Sequence, residues 1–402
     1  MRRPDQRAAR RYGIHRRAVQ LALHLIAIAG LLGALGASVA LNSYLTRGVE
    51  TGEDATPIPY TDVNPLGVNV FLNAEPDPAK VERSLDMIAA AGITYVRQMF
   101  PWYEIEPEPD TYWDSRNNVD TWEKYDRIVD LATARNLEII ARLDKPPRWA
   151  REGQPDLDRF PTGPPTNVQD YADFVATFVE RYRGRVHYIQ IWNEPNLEGE
   201  WGGRPIDPAA FTALLKAAYT AAKAVDPTIT VLMPGLAPTD QRGPANLSDL
   251  LFLQGMYDAG AKDAFDIASV MVYGYGYSPT DRRVDFGRNN FSRPIQTREI
   301  MVRNGDAGKP IWAAEDGWVA LPEDWAGDPS PWGEPVSETE QADYLAQGYL
   351  RARQEWPWMG VMCVWPSRTP EAPDRREVAN DPTRGFAPVN HDFSPRPAYT
   401  RL

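Results

Sequence analysis

The chain has 402 residues, of which 43% are hydrophobic and 24% charged, a composition typical of globular rather than disordered proteins. The net charge is −12, but residues 1–17 hold seven Arg and one Asp, so the remainder carries −18. This acidic remainder argues against a nucleic-acid partner, because phosphate binding requires a positive face. The lone Cys363 excludes an intramolecular disulfide. The four His are scattered and no nucleotide-binding motif is present, so we predict neither a metal site nor a cofactor.

The N-terminus predicts a membrane or export segment. The basic residues 1–17 precede an apolar run over residues 18–41, and about 20 apolar residues suffice to span a bilayer. Arg on one flank predicts that this flank stays in the cytoplasm and that the rest crosses the membrane. The length of the run favours an uncleaved signal anchor, although Ser38-Val39-Ala40 fits a signal-peptide cleavage site. Residues 42–64 are polar and contain Pro, which predicts a linker to a globular domain over residues 65–402.

From residue 65 onward, short β-rich runs alternate with amphipathic helical stretches, which is the pattern of a parallel α/β fold. The predicted strands are 66–72, 94–99, 138–143, 187–192, 228–233, 267–273, 311–315 and 361–365. The predicted helices are 78–91, 122–135, 168–182, 208–225, 247–259, 294–304 and 338–355. Eight strands favour a closed (β/α)8 TIM barrel over an open doubly wound sheet. The Pro-rich residues 367–402 are expected to form an irregular C-terminal tail.

Two carboxylates close strands in this pattern. Glu194 ends the fourth strand and Glu315 ends the seventh. Active sites of such barrels lie at the C-terminal ends of the strands, and burial of an unpaired charge is costly. Strands four and seven lie on opposite sides of the barrel mouth, so the two carboxylates are expected to face each other across a cleft. Glycosidic cleavage requires such a pair, one to protonate the leaving oxygen and the other to attack the anomeric carbon.

The residues around these carboxylates resemble those of clan A glycoside hydrolases, most closely the cellulase-like families 5 and 39. Residues 193–195 (NEP) resemble the acid/base motif of the clan, and residues 314–318 (AEDGW) resemble its nucleophile strand. The resemblance covers about residues 66–366. It implies a retaining glycosidase of O-glycosyl bonds, with Glu194 as acid/base and Glu315 as nucleophile. Apolar surroundings and the charge of Glu315 are expected to raise the pKa of Glu194, so that it rests protonated.

The resemblance also implies supporting residues. Arg97 on the second strand is similar to the arginine beside the nucleophile of the clan. A tyrosine on the sixth strand would hold Glu315 as well, and Tyr273 is favoured for this role over Tyr275. Asn193 would bond the 2-hydroxyl of the sugar, a contact that strengthens in the transition state.

Trp side chains supply the flat apolar faces on which sugar rings stack. The predicted substrate-binding aromatic residues are Trp365, at the end of the eighth strand, and Trp149, Trp102 and Trp318, with Trp201 as a further stacking candidate. The expected partner is an oligosaccharide or polysaccharide outside the cell or in its envelope. Two alternatives stay open: a catalytically silent carbohydrate-binding barrel, and a transglycosylase that passes the same intermediate to a sugar. The sequence carries no prediction of oligomeric state.

Overall fold

A computed structural model describes residues 6–47, 57–368 and 380–402. The chain divides into two compact units, residues 1–50 and residues 51–402. Residues 1–5 of the predicted basic segment, residues 48–56 of the predicted linker and residues 369–379 of the tail lie outside the described part.

The first unit contains one continuous helix, Gln6–Thr46. Its segment His15–Thr46 is long and apolar enough to cross a membrane, as the apolar run predicts. The apolar side chains along it, including Leu21 and Leu31, are exposed. The helix extends five residues into the predicted linker, because residues 42–46 contain no Pro or Gly to end it.

The second unit contains the eight parallel strands that the sequence predicts, each within two residues of the expected ends. They are β1 (Leu66–Val70), β2 (Tyr95–Pro101), β3 (Glu138–Asp144), β4 (Tyr188–Ile191), β5 (Thr230–Leu232), β6 (Ala268–Tyr273), β7 (Ile311–Gly317) and β8 (Met359–Val364). The hydrogen-bonded order is β5-β4-β3-β2-β1-β8-β7-β6. Parallel bridges from Leu232 to Ile267 and from Leu236 to Val270 join β5 to β6 and close the barrel. The (β/α)8 prediction is therefore confirmed.

Seven helices follow the strands at the predicted places. They are α1 (Pro78–Ala90), α2 (Glu123–Thr133), α3 (Val168–Tyr182), α4 (Pro208–Val225), α5 (Asp249–Asp258), α6 (Pro294–Arg303) and α7 (Glu338–Glu355). Side chains cap several of them: Asp77 accepts from the Ala79 N–H before α1, and Ser337 with Glu340 forms a capping box before α7. These caps fix where the helices begin and so fix the lengths of the loops at the barrel mouth.

An extra residue in β7 positions the end of this strand. Val270 of β6 pairs with Ala313, but the next residue, Met271, pairs with Glu315, so Ala314 is left over as a β-bulge. The side-chain amide of Asn69 on β1 donates to the Ala314 carbonyl oxygen at 2.9 Å. The carbonyl oxygen of the bulged residue therefore has a hydrogen-bond donor inside the barrel.

The described part of the tail, residues 380–402, packs against the barrel. It contains a short 3-10 helix, Pro382–Phe386, and a terminal helical turn, Pro397–Arg401. Arg396 ties the tail down by donating to the carbonyl oxygens of Ala320 and Ala387, both at 2.8 Å. Outside these two short segments, the described residues 380–402 form no helix or extended strand.

Candidate active site

Glu315, at the C-terminal end of β7, is held through both of its carboxylate oxygens. Its Oε1 accepts a hydrogen bond from Arg97 Nη1 at 2.9 Å, and its Oε2 accepts from the hydroxyl of Tyr273. Burial, and after it the charge of Glu315, raise the pKa of Tyr273 well above its usual range, so this hydroxyl remains a donor. Tyr275 points elsewhere and donates to the Pro238 carbonyl at 3.5 Å. Of the two tyrosines considered from the sequence, Tyr273 is the one that meets the carboxylate.

Arg97 is 2% exposed and forms the hub of a polar network inside the barrel mouth. Besides Glu315, it donates to the side-chain oxygens of Asn69, Gln190 and Asn193, each at 2.7 Å. A buried guanidinium with four acceptors is charge-balanced and fixed in orientation. The sequence does not identify Asn69 and Gln190. The available signal was a lone polar residue inside each of two otherwise apolar strands.

Glu194 follows β4 and lies close enough to Glu315 for their charges to interact. Its backbone N–H donates to the Gly235 carbonyl at 3.0 Å, and Asn193 Nδ2 lies 3.4 Å from its Oε2. Burial first, and then the negative charges of Glu315 and Glu200, raise the pKa of Glu194 to about 8. The sequence predicts the same direction, from apolar surroundings and from the charge of Glu315. A carboxyl group with this pKa is protonated at neutral pH and can donate a proton.

The backbone at the barrel mouth is strained in four places. Lys145 after β3, Trp192 and Glu194 after β4, and Tyr275 after β6 have φ values of 56°, 67°, 45° and 53°. Left-handed backbone at non-glycine residues costs about 1–3 kcal/mol each and persists only where the surroundings impose it. All four residues follow the C-terminal ends of barrel strands, which is where such a barrel carries its chemistry. The sequence gives no signal for this strain.

Two further charged residues, Arg142 and Glu200, lie close enough to Glu194 to affect its pKa. Arg142 and Asp144, both buried at the end of β3, form an ion pair with Nε to Oδ2 at 2.6 Å. Burial raises the pKa of Glu200, on the loop after β4, against a lowering by Arg142. The sequence reading missed Glu200, because a loop position gives no indication of where its side chain points. Among the described residues, no group of three or more His, Cys, Asp or Glu could hold a metal ion.

The predicted stacking residues separate into two classes. Trp365 and Trp149 are half-buried, and Trp365 packs edge-on against Phe71 with ring centroids 6.4 Å apart. Trp149 Nε1 donates to the Glu106 carbonyl at 3.2 Å. Both residues are partly exposed and remain candidates for sugar contact.

Trp102 and Trp318 correct the prediction, since both are 0% exposed. Trp102 stacks on Phe174 at 5.2 Å, and Trp318 stacks on Phe291 at 5.6 Å. Their indole faces are occupied by core residues, so neither offers a stacking surface to a sugar. Trp201 is also buried and packs in the core. Position next to a strand end shows that a Trp is near the mouth, but not whether it points to the cleft or to the helices.

Comparison with protein families identifies the family of this chain. Residues 58–278 match the model of the family described as cellulase (glycosyl hydrolase family 5). The chain belongs to this family. The matched segment includes Arg97, Glu194 and Tyr273 of this family 5 chain, and it ends before β7, so Glu315 lies beyond it. A comparison with curated proteins finds no match.

Solved structures share the fold of this family 5 chain. A family 39 glycoside hydrolase from the gut symbiont Bacteroides cellulosilyticus WH2 superposes with a TM-score of 0.60 at 23% identity, over 83% of this chain and 61% of that enzyme. A monomeric β-xylosidase from Caulobacter crescentus CB15 gives 0.55 at 18% identity, over 85% and 67%. An exo-β-1,4-mannosidase from Opitutaceae bacterium strain TAV5 gives 0.56 at 16% identity, over 86% and 60%. The chain thus spans about three fifths to two thirds of the length of these enzymes.

Proposed function

We propose that the chain is a retaining glycoside hydrolase that cleaves O-glycosidic bonds in an extracellular or cell-envelope glycan. Glu194 is the acid/base and Glu315 is the nucleophile. One observation carries the proposal: a carboxylate with a donor on each oxygen faces a carboxyl group whose pKa its charge raises. A carboxyl group with a raised pKa, together with a carboxylate held by two donors, is the arrangement that supports double displacement.

The proposed reaction proceeds in two steps. In the first, a carboxylate oxygen of Glu315 bonds to the anomeric carbon while the bond to the leaving oxygen breaks, and Glu194 transfers its proton to that oxygen. The charge of Glu315 is then consumed in an ester, which removes a cause of the raised pKa of Glu194. In the second step, Glu194 takes a proton from water, whose oxygen attacks the anomeric carbon and releases Glu315.

The neighbouring residues fit supporting roles. Arg97 and Tyr273 fix the orientation of Glu315 and stabilise the charge that returns to it when the ester breaks. Asn193, held by Arg97, is placed to bond the 2-hydroxyl of the sugar. Trp365 and Trp149 offer apolar surface for the sugar ring. The helix His15–Thr46 anchors the enzyme to the membrane with the barrel outside, unless it is cleaved after Ala40.

The test uses the full-length chain and a panel of 4-nitrophenyl glycosides and polysaccharides. The panel includes the β-xyloside and the β-mannoside, because solved structures of this fold include a β-xylosidase and an exo-β-1,4-mannosidase. Glu315→Ala is expected to abolish turnover. Glu194→Ala is expected to accumulate the glycosyl-enzyme slowly. Azide should restore its turnover, because azide attacks the glycosyl-enzyme without the help of a general base.

Glu180→Ala, an exposed carboxylate on α3, is the matched control and should retain full activity. Full activity of either active-site variant would contradict the assignment. Inactivity of the unmodified chain on the whole panel would instead favour a silent carbohydrate-binding barrel. Disaccharide products that form only with added acceptor sugar would favour a transglycosylase.

A further inference from the structure

The C-terminal tail inserts one side chain beneath the candidate active site. Phe386 is 1% exposed and contacts three aromatic rings at the barrel mouth. Its ring centroid lies 5.2 Å from that of Tyr273, 5.2 Å from that of Trp332 and 5.5 Å from that of Trp365. One of these rings carries the hydroxyl that meets Glu315. The other two are half-buried and keep surface open to solvent.

Several hydrogen bonds fix the backbone at Phe386. The Gly385 carbonyl accepts from the Ala320 N–H at 2.9 Å and from the Gln341 side-chain amide at 2.7 Å. The same amide of Gln341, which is fully buried, also reaches the Phe386 carbonyl at 3.2 Å. Gly317, at the end of β7, leaves room for the ring, because a Cβ there would lie 3.0 Å from Phe386 Cδ1. The backbone that carries the ring is therefore fixed by hydrogen bonds, and the ring itself is closely packed.

Trp332 belongs to the loop between β7 and α7, and it is held from two sides. Phe386 packs against its ring, and the Trp332 backbone N–H donates to the Ser330 hydroxyl at 3.2 Å. Trp332 also belongs to the same apolar cluster as Trp365, around Tyr273 and Phe386. Two half-buried indoles packed on one buried ring offer apolar surface of the kind on which pyranose rings stack.

We propose that Phe386 is a positioning residue, and that it holds Trp332 and Trp365 as a sugar-stacking wall while it fixes the ring of Tyr273 against Glu315. The inference rests on the proposed function. Through Tyr273, the tail affects the rate of the chemical step. Through Trp332 and Trp365, it affects the binding of a pyranose ring. The substrate class that this wall fits is a glycan whose pyranose rings present an apolar face.

The test measures kcat and KM for Phe386→Leu and Trp332→Ala in the full-length chain, on the fastest substrate of the panel. Phe386→Leu is expected to lower kcat about tenfold or more and to raise KM severalfold. Trp332→Ala is expected to raise KM severalfold with kcat within about twofold, the pattern of lost uniform binding. The matched controls are Phe393→Leu, another buried tail residue that packs on Arg368, and Trp325→Ala on the same loop as Trp332. Both controls should stay within about twofold.

A double-mutant cycle separates positioning from general destabilisation. If Phe386 acts through Tyr273, Phe386→Leu should lower kcat much less in a Tyr273→Phe background than in the unmodified chain. Full additivity, or a Phe386→Leu variant that behaves like Phe393→Leu, would overturn the inference. Phe386→Met, closer in volume, replaces Phe386→Leu if the latter does not fold. Loss of activity in Glu315→Ala with no effect of Phe386 substitutions overturns this inference alone, whereas full activity of Glu315→Ala overturns the proposed function as well.

Discussion

The hydroxyl of Tyr273 donates to one carboxylate oxygen of Glu315, and the other oxygen is taken by Arg97. Both donors come from barrel strands, so the carboxylate is held by the scaffold and not by a loop. Two hydrogen bonds from the scaffold fix the orientation of the carboxylate, which in the proposed reaction sets the direction in which it attacks the anomeric carbon. They also make the contribution of each donor separately measurable.

Removal of the tyrosine hydroxyl should slow the chemical step. Hydrogen bonds to charged groups contribute about 1.5–3 kcal/mol, so Tyr273→Phe is expected to lower kcat roughly 10- to 100-fold with little change in KM. Steady-state kinetics on the best aryl glycoside measure this. Tyr275→Phe is the control, because that hydroxyl is directed to Pro238 and should matter little. Equal losses in the two variants would contradict the role given to Tyr273.

The residues of the candidate site that the sequence predicts are those whose place depends on strand positions. Glu194, Glu315 and Arg97 each stand at or near the end of a β-rich run, and the barrel brings such ends together. The sequence predicts the stacking residues less accurately. Trp102 and Trp318 follow the ends of β2 and β7 but face the core. Period and composition do not distinguish those two directions at a strand end.

Other features had no local signal in the sequence. Phe386 reaches the site from a tail that follows all eight strands, and its contacts with Trp332 are set by tertiary packing alone. The left-handed backbone at Trp192 and Glu194 contradicts the local preference of both residues and is imposed by the folded barrel. Glu200 is on a loop, where side-chain direction depends on neighbouring loops.

The pH dependence of activity should report the protonated state of Glu194. With its pKa at about 8, kcat/KM is expected to fall at more alkaline pH, as the acid loses the proton it must donate. The charge of Glu200 contributes to the raised value, so Glu200→Gln should move the alkaline limb to lower pH. A pH profile of kcat/KM for both proteins measures the shift. An unchanged alkaline limb would show that Glu200 does not act on the acid.

Replacement of the buried hub should cost stability as well as activity. Arg97→Met leaves Glu315 buried without its cation, and removal of one partner of a buried pair typically costs about 3–5 kcal/mol. Urea unfolding of the two proteins measures the difference. Arg148→Met, whose ion pair with Asp158 is largely exposed, should change the free energy of unfolding by less than about 1 kcal/mol. Similar losses in both variants would contradict the importance of the hub.

The helix His15–Thr46 should determine where the enzyme is found. The full chain is expected in the membrane fraction and should resist carbonate extraction, while a chain of residues 57–402 should be soluble with the same kcat. Mass spectrometry of the exported protein distinguishes the two modes of export. A product that begins at Leu41 indicates cleavage after Ala40, and a product that retains the helix indicates an anchor.

The last prediction concerns Asp316, which adjoins Glu315 but is not used in the proposed reaction. Asp316 is buried, and neither carboxylate oxygen reaches hydrogen-bond geometry with a partner among the described residues. Burial raises its pKa to about 8, against a smaller lowering by the Gly317 backbone N–H. The folded protein therefore holds a proton on Asp316 over a pH range in which the unfolded chain, with an ordinary pKa near 3.8, does not.

Stability should consequently fall as pH rises from about 4 to about 8, because the native state binds the extra proton in this window. Asp316→Asn keeps the shape of the side chain and removes the titration, so its unfolding free energy should depend less on pH. At pH 9 the variant should be more stable than the unmodified chain, by on the order of a few kcal/mol. Glu194 titrates in both proteins and cancels from the comparison. Urea unfolding at pH 5, 7 and 9 measures the difference, with the exposed Asp324→Asn as control. Parallel stability curves for Asp316→Asn and the unmodified chain would show that this carboxyl is not held protonated by burial.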